Sequence, residues 1–139
     1  MRPSMLTITD DAFDFIAQAC RNTHPEEFIG LLRKNDKGIV DIVLIIPLSE
    51  FGHGFSSINF NMLPMAADYC GSVHSHPNGY AVPSKQDKLF FSKIGGVHLI
   101  MGEPYTVGNA MAYDDRGKRV ELRIVPAAPK PTPRPSGKS

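Results

Sequence analysis

Three scarcities narrow the classes of protein to which this chain of 139 residues can belong. No run of apolar residues approaches the roughly 18 needed to span a bilayer, and no N-terminal apolar stretch has the form of a signal peptide. The only cysteines are Cys20 and Cys70. We therefore expect a cytoplasmic protein whose two thiols are free and behave as small buried hydrophobes.

Excess charge of one sign is also missing. The formal net charge is +1, and the last fourteen residues, 126–139, carry three basic residues and no acid. Without them, 12 basic residues face 14 acidic ones, so the rest of the chain is near −2. A nucleic-acid-binding protein presents a basic face. We therefore expect neither a nucleic-acid partner nor a membrane partner.

The length favours one domain followed by a tail. Hydrophobic residues make up 42% of the chain, which is typical of a globular protein with one core. Five prolines fall within residues 126–139, where we expect a disordered, extended segment. The predicted organisation is a domain over residues 1–125 and a proline-rich tail over 126–139.

Hydrophobic periodicity predicts a mixed α/β domain, and its hairpins indicate a sheet with antiparallel pairs that packs against at least two helices. A helix begins after Thr9, a good N-cap, and a hairpin turns at Asn35-Asp36-Lys37-Gly38. The second strand of that hairpin is rich in Ile and Val, so we expect it to be buried. The predicted helices are 10–21, 63–69 and 84–93, and the predicted strands are 6–8, 28–33, 39–46, 57–60, 71–76, 97–101, 108–113 and 119–125.

A candidate metal site lies between the strand 71–76 and the helix that follows it. Residues two apart on a strand share a face, so His74 and His76 can offer two imidazoles to one ion. Ser84 starts a helix with Asp87 three residues later, as in a capping box, which places Asp87 in the first turn. Two imidazoles and a carboxylate leave one position for water, as in a catalytic zinc site. The same ligands also suit non-heme iron.

Such a site needs two further groups to hydrolyse a bond. Zinc lowers the pKa of a bound water from about 15.7 to about 7, and a carboxylate must then take the proton and pass it to the leaving group. A donor must stabilise the developing oxyanion, and Ser84 stands beside Asp87 for that role. The spacing alone does not choose the carboxylate.

The pattern resembles the signature of the JAMM, or MPN-plus, metalloproteases. It consists of His-Ser-His-Pro at 74–77, seven residues counted from Pro77 to Pro83, and Ser-x-x-Asp at 84–87. The family also has an upstream glutamate three residues before a glycine in an apolar strand. Residues 25–32, Pro-Glu-Glu-Phe-Ile-Gly-Leu-Leu, match it with Glu27, whereas Glu26 is one position off. The resemblance covers roughly residues 5–125.

The resemblance implies a single-domain, cytidine-deaminase-like α/β/α fold, in which a curved mixed sheet is flanked by helices, with one zinc ion per chain. His74, His76 and Asp87 would bind the zinc, Ser84 would hold the oxyanion, and Glu27 would act as acid and base. The implied reaction is hydrolysis of amide or isopeptide bonds, often after the C-terminal Gly-Gly of ubiquitin or a ubiquitin-like protein. A sulfur-carrier protein with such a tail is the other expected substrate.

Two alternatives to the isopeptidase stay open. Only seven residues separate Asp87 from Gly95, so no large substrate-gripping insertion fits there, and the chain resembles a minimal prokaryotic or archaeal member. A trimming peptidase or small-amide hydrolase in sulfur-carrier or cysteine metabolism is one alternative. A non-catalytic scaffold is the other, although the complete ligand set argues against it.

The other histidines have no partner spacing. His98 lies in an apolar strand, where a hydrogen-bonded core histidine is the usual finding. His53 lies in a glycine-bearing loop, 49–57, which is either a lid over the substrate or an ordinary surface loop.

Overall fold

The computed structural model describes residues 5–45 and 69–128. The predicted loop 49–57, the strand 57–60 and nearly all of the helix 63–69 lie outside these residues, as does the tail beyond residue 128. The described strands are β1 (Met5–Thr9), β2 (Ile29–Lys34), β3 (Val40–Ile45), β4 (Gly71–His76), β5 (Val97–Gly102), β6 (Ala110–Asp114) and β7 (Arg119–Val125). The helices are α1 (Asp10–Thr23), α2 (Lys85–Ile94) and a 3₁₀ helix (Val107–Asn109).

Hydrogen bonds close the N-terminal helix, α1, at both of its ends. The Thr9 hydroxyl accepts the Ala12 N–H at 3.1 Å, and Asp10 and Asp11 occupy the first turn, where the helix dipole favours acids. The helix runs two residues beyond the predicted end, and the His24 N–H closes it on the Cys20 carbonyl at 3.0 Å. Its apolar stripe is buried, at Ala12, Phe13, Ile16, Ala17 and Cys20.

The strands form one mixed sheet, as predicted, and it curls until it closes. The strand order is β1-β3-β2-β4-β5-β6-β7, and β1 pairs in parallel with both β7 and β3. The join to β3 rests on the single pair Ile8↔Val40. β4 lies between β2, which is antiparallel to it, and β5, which is parallel. The strand predicted to carry the histidines is therefore at the centre of the sheet.

Each face of the sheet packs against one helix, so the architecture is α/β/α. The face toward α1 buries a cluster that includes Phe28, Val73 and Leu99. The other face, toward α2, buries a second cluster that includes Ile29, Phe91 and Ile100. Neighbouring residues of one strand fall into different clusters because side chains alternate along a strand. Neither described helix is long and apolar enough to cross a membrane.

The expectation that the 39–46 strand is buried is wrong for most of β3. Val40 is buried, but Ile42 is 47% and Ile45 52% exposed. Val40 is also the only β3 residue that pairs with β1. Ile and Val are favoured on strands whether or not both faces are covered, so their abundance did not report burial.

Two glycines turn the chain from α2 into β5. Gly95 and Gly96 both have positive φ, of +76° and +79°. A Cβ on Gly95 would meet nothing within 4 Å, whereas a Cβ on Gly96 would lie 1.9 Å from the Cys70 carbonyl oxygen. That carbonyl accepts the Val97 N–H at 2.8 Å, so the close approach begins the pairing of β4 with β5.

We predict different costs for alanine at these two positions. Gly95→Ala loses about 1–3 kcal/mol of unfolding free energy through backbone strain alone. Gly96→Ala adds a further ~1–3 kcal/mol because the new methyl group must push β4 and β5 apart. Urea denaturation of both variants measures the difference, and equal losses would contradict the close approach described here.

A buried histidine lies beneath the α2 face of the sheet. His98 is fully buried, its Nδ1 lies 2.7 Å from the Ser72 hydroxyl oxygen, and its ring stacks on Phe91 at 4.1 Å between centroids. Burial lowers the pKa of His98 to about 3, opposed by the Gly95 carbonyl and assisted by His74. The expected core position of His98 is confirmed, but only its Nδ1 is hydrogen-bonded, since Nε2 has no partner within the part of the chain that the structure describes.

The low pKa of His98 predicts a loss of stability in acid. An unfolded histidine binds a proton below about pH 6.5, whereas folded His98 stays neutral until about pH 3. The unfolding free energy contributed by His98 is therefore complete above pH 6.5 and falls by about 1.4 kcal/mol per pH unit between 6.5 and 3. Denaturation at pH 7.5, 6 and 5 should give a steeper decline for the wild type than for His98→Asn. Parallel declines would contradict the prediction.

Candidate metal centre

Strand β4 delivers the two histidines to the α2 face of the sheet. His74 and His76 are two residues apart on β4, and their Nε2 atoms lie 2.9 Å apart. His74 pairs with Ile29 of β2 and Ile100 of β5, so it is held between two neighbouring strands and is fully buried. The His76 side chain, at the strand end, keeps 13% exposure. One imidazole is therefore enclosed and the other borders solvent.

The first turn of α2 supplies the carboxylate. Asp87 Oδ2 lies 3.4 Å from His74 Nε2 and 3.2 Å from His76 Nε2. The predicted capping box is present: Ser84 Oγ accepts the Asp87 N–H at 3.1 Å, and Asp87 Oδ2 accepts the Ser84 N–H at 2.9 Å. The oxygen that caps the helix is therefore the oxygen that faces both histidines.

A backbone carbonyl orients the His76 ring. His76 Nδ1 lies 2.7 Å from the Tyr80 carbonyl oxygen, which only accepts hydrogen bonds, so Nδ1 carries the proton. In the neutral ring the Nε2 lone pair then points toward His74 and Asp87. This is the usual second hydrogen bond of a metal-binding histidine. Sequence reasoning missed it because a carbonyl group is common to every residue.

The loop that provides this carbonyl is anchored at two further points. Asn109 Nδ2 donates to the Gly79 carbonyl at 2.7 Å, and the Tyr113 hydroxyl donates to the Ala81 carbonyl. The backbone on both sides of Tyr80 is thus tied to the 3₁₀ helix and to β6. No sequence signal pointed to Asn109 or Tyr113, because their partners lie about thirty positions away.

The pKa values show how tightly the three groups interact. Burial lowers the pKa of His74, although Asp87 opposes the shift. Burial also acts to lower the pKa of His76, but hydrogen bonds to Asp87 and the Tyr80 carbonyl outweigh it, and the net shift is upward. Burial acts to raise the pKa of Asp87, yet the two histidines hold it well below its usual range. Asp87 is therefore ionised throughout the physiological range.

The donor atoms fit a tetrahedral zinc ion. His74, His76 and Asp87 are the one group of this kind in residues 5–45 and 69–128, with all ligand atoms within 4.8 Å of one another. Zinc–donor distances of about 2.0–2.1 Å place neighbouring donors of a tetrahedron roughly 3.3 Å apart. The observed separations of 2.9, 3.2 and 3.4 Å have the size of one face of that tetrahedron.

Glu27 lies beside this cluster. The last β2–β4 pair is Ile29↔His74, and extending its register by two residues beyond the strand would place Glu27 opposite His76, on the face that carries the two histidines. The Glu27 charge raises the pKa of both His74 and His76. Glu27 is exposed, so solvent reaches its carboxylate. Glu26 is exposed as well, and the choice of Glu27 as acid and base stays a prediction.

The remaining histidines and cysteines of the described segments lie outside the cluster. His24 Nδ1 lies 2.6 Å from the Tyr105 hydroxyl oxygen on the α1 side. Cys20 and Cys70 are free thiols, as expected, and Cys70 Sγ donates to the Leu32 carbonyl at 3.4 Å. Burial raises the pKa of Cys20 to about 12 and also raises that of Cys70, so neither is a reactive thiolate. His53 lies outside the described residues.

Comparison with known proteins agrees with this geometry. The family model described as prokaryotic homologs of the JAB domain matches residues 9–115. A probable metalloprotease of Haloferax volcanii is 36% identical over 129 residues, which span 86% of this chain and 80% of that protein.

Solved structures agree as well. A JAB1/MPN domain protein from Archaeoglobus fulgidus superimposes with a TM-score of 0.70 at 29% identity, over 86% of this chain and 99% of that one. A structure described as JAMM, a metalloprotease-like zinc site in the proteasome and signalosome, gives a TM-score of 0.68 at 28% identity, over 87% and 98%. The chain therefore belongs to the prokaryotic JAB-domain family, of the JAMM/MPN metalloprotease type, and its cofactor is zinc.

Proposed function

We propose that this chain is a zinc isopeptidase that hydrolyses the amide bond after the C-terminal Gly-Gly of a ubiquitin-like or sulfur-carrier protein. The observation that carries the proposal is the cluster formed by His74 and His76 of β4 with Asp87 of α2. Glu27, in the segment that leads into β2, acts electrostatically on both histidines. The membership in a metalloprotease family supports a protein substrate.

His74, His76 and Asp87 would bind the zinc, which when bound supplies a water of lowered pKa and polarises the scissile carbonyl. The rest of the reaction belongs to the protein. Glu27, beside His76, would take the proton from the attacking water and deliver it to the leaving amine. Its access to solvent allows this exchange.

Ser84 has a hydroxyl hydrogen to offer to the substrate. Its Oγ already accepts the Asp87 N–H at 3.1 Å, so the acceptor side of the hydroxyl is occupied by the helix cap. A hydroxyl has one donor besides its lone pairs. We propose that this donor stabilises the oxyanion that forms on the scissile carbonyl.

Exposed apolar side chains around the site favour a protein substrate over a small amide. Tyr80 is 72% and Val82 64% exposed on the loop between β4 and α2, the loop whose Tyr80 carbonyl lies 2.7 Å from His76 Nδ1. The backbone of this loop is anchored at Gly79 and Ala81, so it can present these two side chains to a protein substrate. The two free thiols agree with a cytoplasmic location, which we also propose.

A trimming peptidase is the second candidate. Helix α2 has only 10 residues, and β5 starts three residues after its end, so this connection carries no substrate-gripping insertion. An enzyme that removes a terminal residue from a carrier needs fewer contacts than one that grips two folded proteins. Sulfur-carrier or cysteine metabolism would then be its setting. The complete ligand set disfavours the non-catalytic scaffold.

A set of three substrates separates the candidates. In one, a Gly-Gly tail is joined to a lysine side chain; in the second, to the α-amine of a peptide; the third is a carrier with one residue after Gly-Gly. Mass spectrometry after incubation with the zinc-loaded chain identifies the bond that is cut. Cleavage of the lysine conjugate supports the isopeptidase, and cleavage of the third substrate alone supports the trimming enzyme. Cleavage of none would contradict both.

We predict one zinc per chain, bound by the three proposed ligands. His76→Ala removes one of three protein donors and should reduce zinc content to below about a tenth, since structural and catalytic zinc sites need at least three. His24→Ala, which changes a histidine outside the cluster, should keep the full content. Elemental analysis after dialysis makes the measurement, and zinc retained by His76→Ala would refute the assignment.

We predict that Glu27→Gln lowers kcat by about 10²–10⁴-fold because it removes the proton acceptor. Zinc content should not change, since Glu27 is not among the proposed ligands. The matched control is Glu26→Gln, which neutralises the adjacent exposed glutamate and should leave kcat within about twofold. A similar loss in both variants would show that the effect is one of overall charge and not of proton transfer.

A further inference from the structure

We propose that Ser75 is a positioning residue that holds Glu27 over the metal cluster by binding the backbone of Phe28. This inference rests on the role proposed above for Glu27 and adds the device that fixes its place. Ser75 lies between the two histidines in sequence, yet its side chain is on the opposite face of β4 and takes no part in the cluster.

The hydrogen bonding between β2 and β4 becomes irregular at Phe28 and Ser75. Its last regular pair is Ile29↔His74, and the same register places Phe28 opposite Ser75. The Ser75 N–H donates to the Phe28 carbonyl at 3.0 Å, as in an ordinary antiparallel pair. The Phe28 N–H, however, donates to Ser75 Oγ at 2.8 Å. The hydroxyl thus stands where a backbone carbonyl would serve in a regular ladder.

Alternation then determines where Glu27 lies. Phe28 and Ser75 are buried on the α1 side, at 5% and 0% exposure. By the same alternation, the neighbouring Glu27 turns toward the α2 side, which is the side of His74 and His76. The Ser75 N–H holds the Phe28 carbonyl, and the Ser75 hydroxyl adds the second hydrogen bond, which fixes the Phe28 N–H next to Glu27.

The other end of the Glu27 segment is anchored independently. The His24 N–H donates to the Cys20 carbonyl at 3.0 Å, and the His24 ring lies 2.6 Å from the Tyr105 hydroxyl oxygen. Only three residues, 25–27, separate this anchor from the one at Phe28. An exposed glutamate on so short a bridge has little freedom, and an error of about 1 Å in placing a catalytic group can cost 10²-fold in rate.

The test uses the cobalt-substituted full chain, whose visible spectrum changes with pH without any substrate. Glu27→Gln removes a carboxylate charge beside the metal and should lower the midpoint of that change by about one pH unit. Ser75→Ala should also lower the midpoint, by at least ~0.3 pH unit, because the Glu27 carboxylate moves toward solvent and away from the metal. In the Glu27→Gln background, Ser75→Ala should have no further effect.

The matched control is Ser72→Ala, which removes an equally buried hydroxyl from the same strand. That hydroxyl bonds His98 and not the Glu27 segment, so the midpoint should stay at the wild-type value. Cobalt affinity should change less than about threefold in both serine variants, since neither side chain is a ligand. On whichever of the three test substrates the chain cleaves, Ser75→Ala should lower kcat and leave KM unchanged.

Four outcomes would overturn the proposal. A wild-type midpoint in Ser75→Ala, or a shift that persists in the Glu27→Gln background, would overturn the role of Ser75 alone. A wild-type midpoint in Glu27→Gln would refute the role of Glu27 and with it that of Ser75. If Ser75→Ala fails to fold, amide hydrogen exchange of the wild-type chain tests the role of Ser75. The Phe28 N–H should exchange as slowly as the hydrogen-bonded amides of β2. Exchange of the Phe28 N–H as fast as that of the Glu27 N–H would overturn the proposal.

Discussion

The two-residue period of β4 is the constraint on which the rest of the site depends. Its even positions carry His74 and His76 to the face covered by α2, and its odd positions carry Val73 and Ser75 to the face covered by α1. Because β4 is central in the sheet, neither set can shift without breaking pairs on both sides. One strand therefore presents ligands on one face and holds the Glu27 segment from the other.

The Asp87 carboxylate both caps helix α2 and takes part in the proposed metal site. One oxygen accepts the Ser84 N–H that starts α2 and also faces both histidines. A buried carboxylate without partners is costly, and these contacts compensate for its loss of hydration. The same contacts keep it ionised and ready for a cation. Helix capping and metal binding are thus compatible uses of one side chain, and a substitution here affects both.

Sequence reasoning succeeded where chemistry and spacing are local. The strand that carries His74 and His76, the capping box of Ser84 and Asp87, and the mixed α/β class could all be predicted because each depends on neighbours within a few residues. The buried character expected for β3 was wrong, since residue type alone does not say what covers a strand. The Tyr80 carbonyl and the hydrogen bond from the Phe28 N–H to the Ser75 hydroxyl were not predicted. A backbone group has no sequence signature, and strand register is set by distant residues.

The most direct test of the zinc site is X-ray absorption spectroscopy of the zinc-loaded chain. We predict that the zinc ion is surrounded only by nitrogen and oxygen donors at about 2.0–2.1 Å, with imidazole scattering from two histidines. Asp87→Asn should weaken binding, while Cys70→Ser should leave the spectrum unchanged. A sulfur donor at about 2.3 Å, or imidazole scattering from fewer than two rings, would contradict a site built from His74, His76 and Asp87.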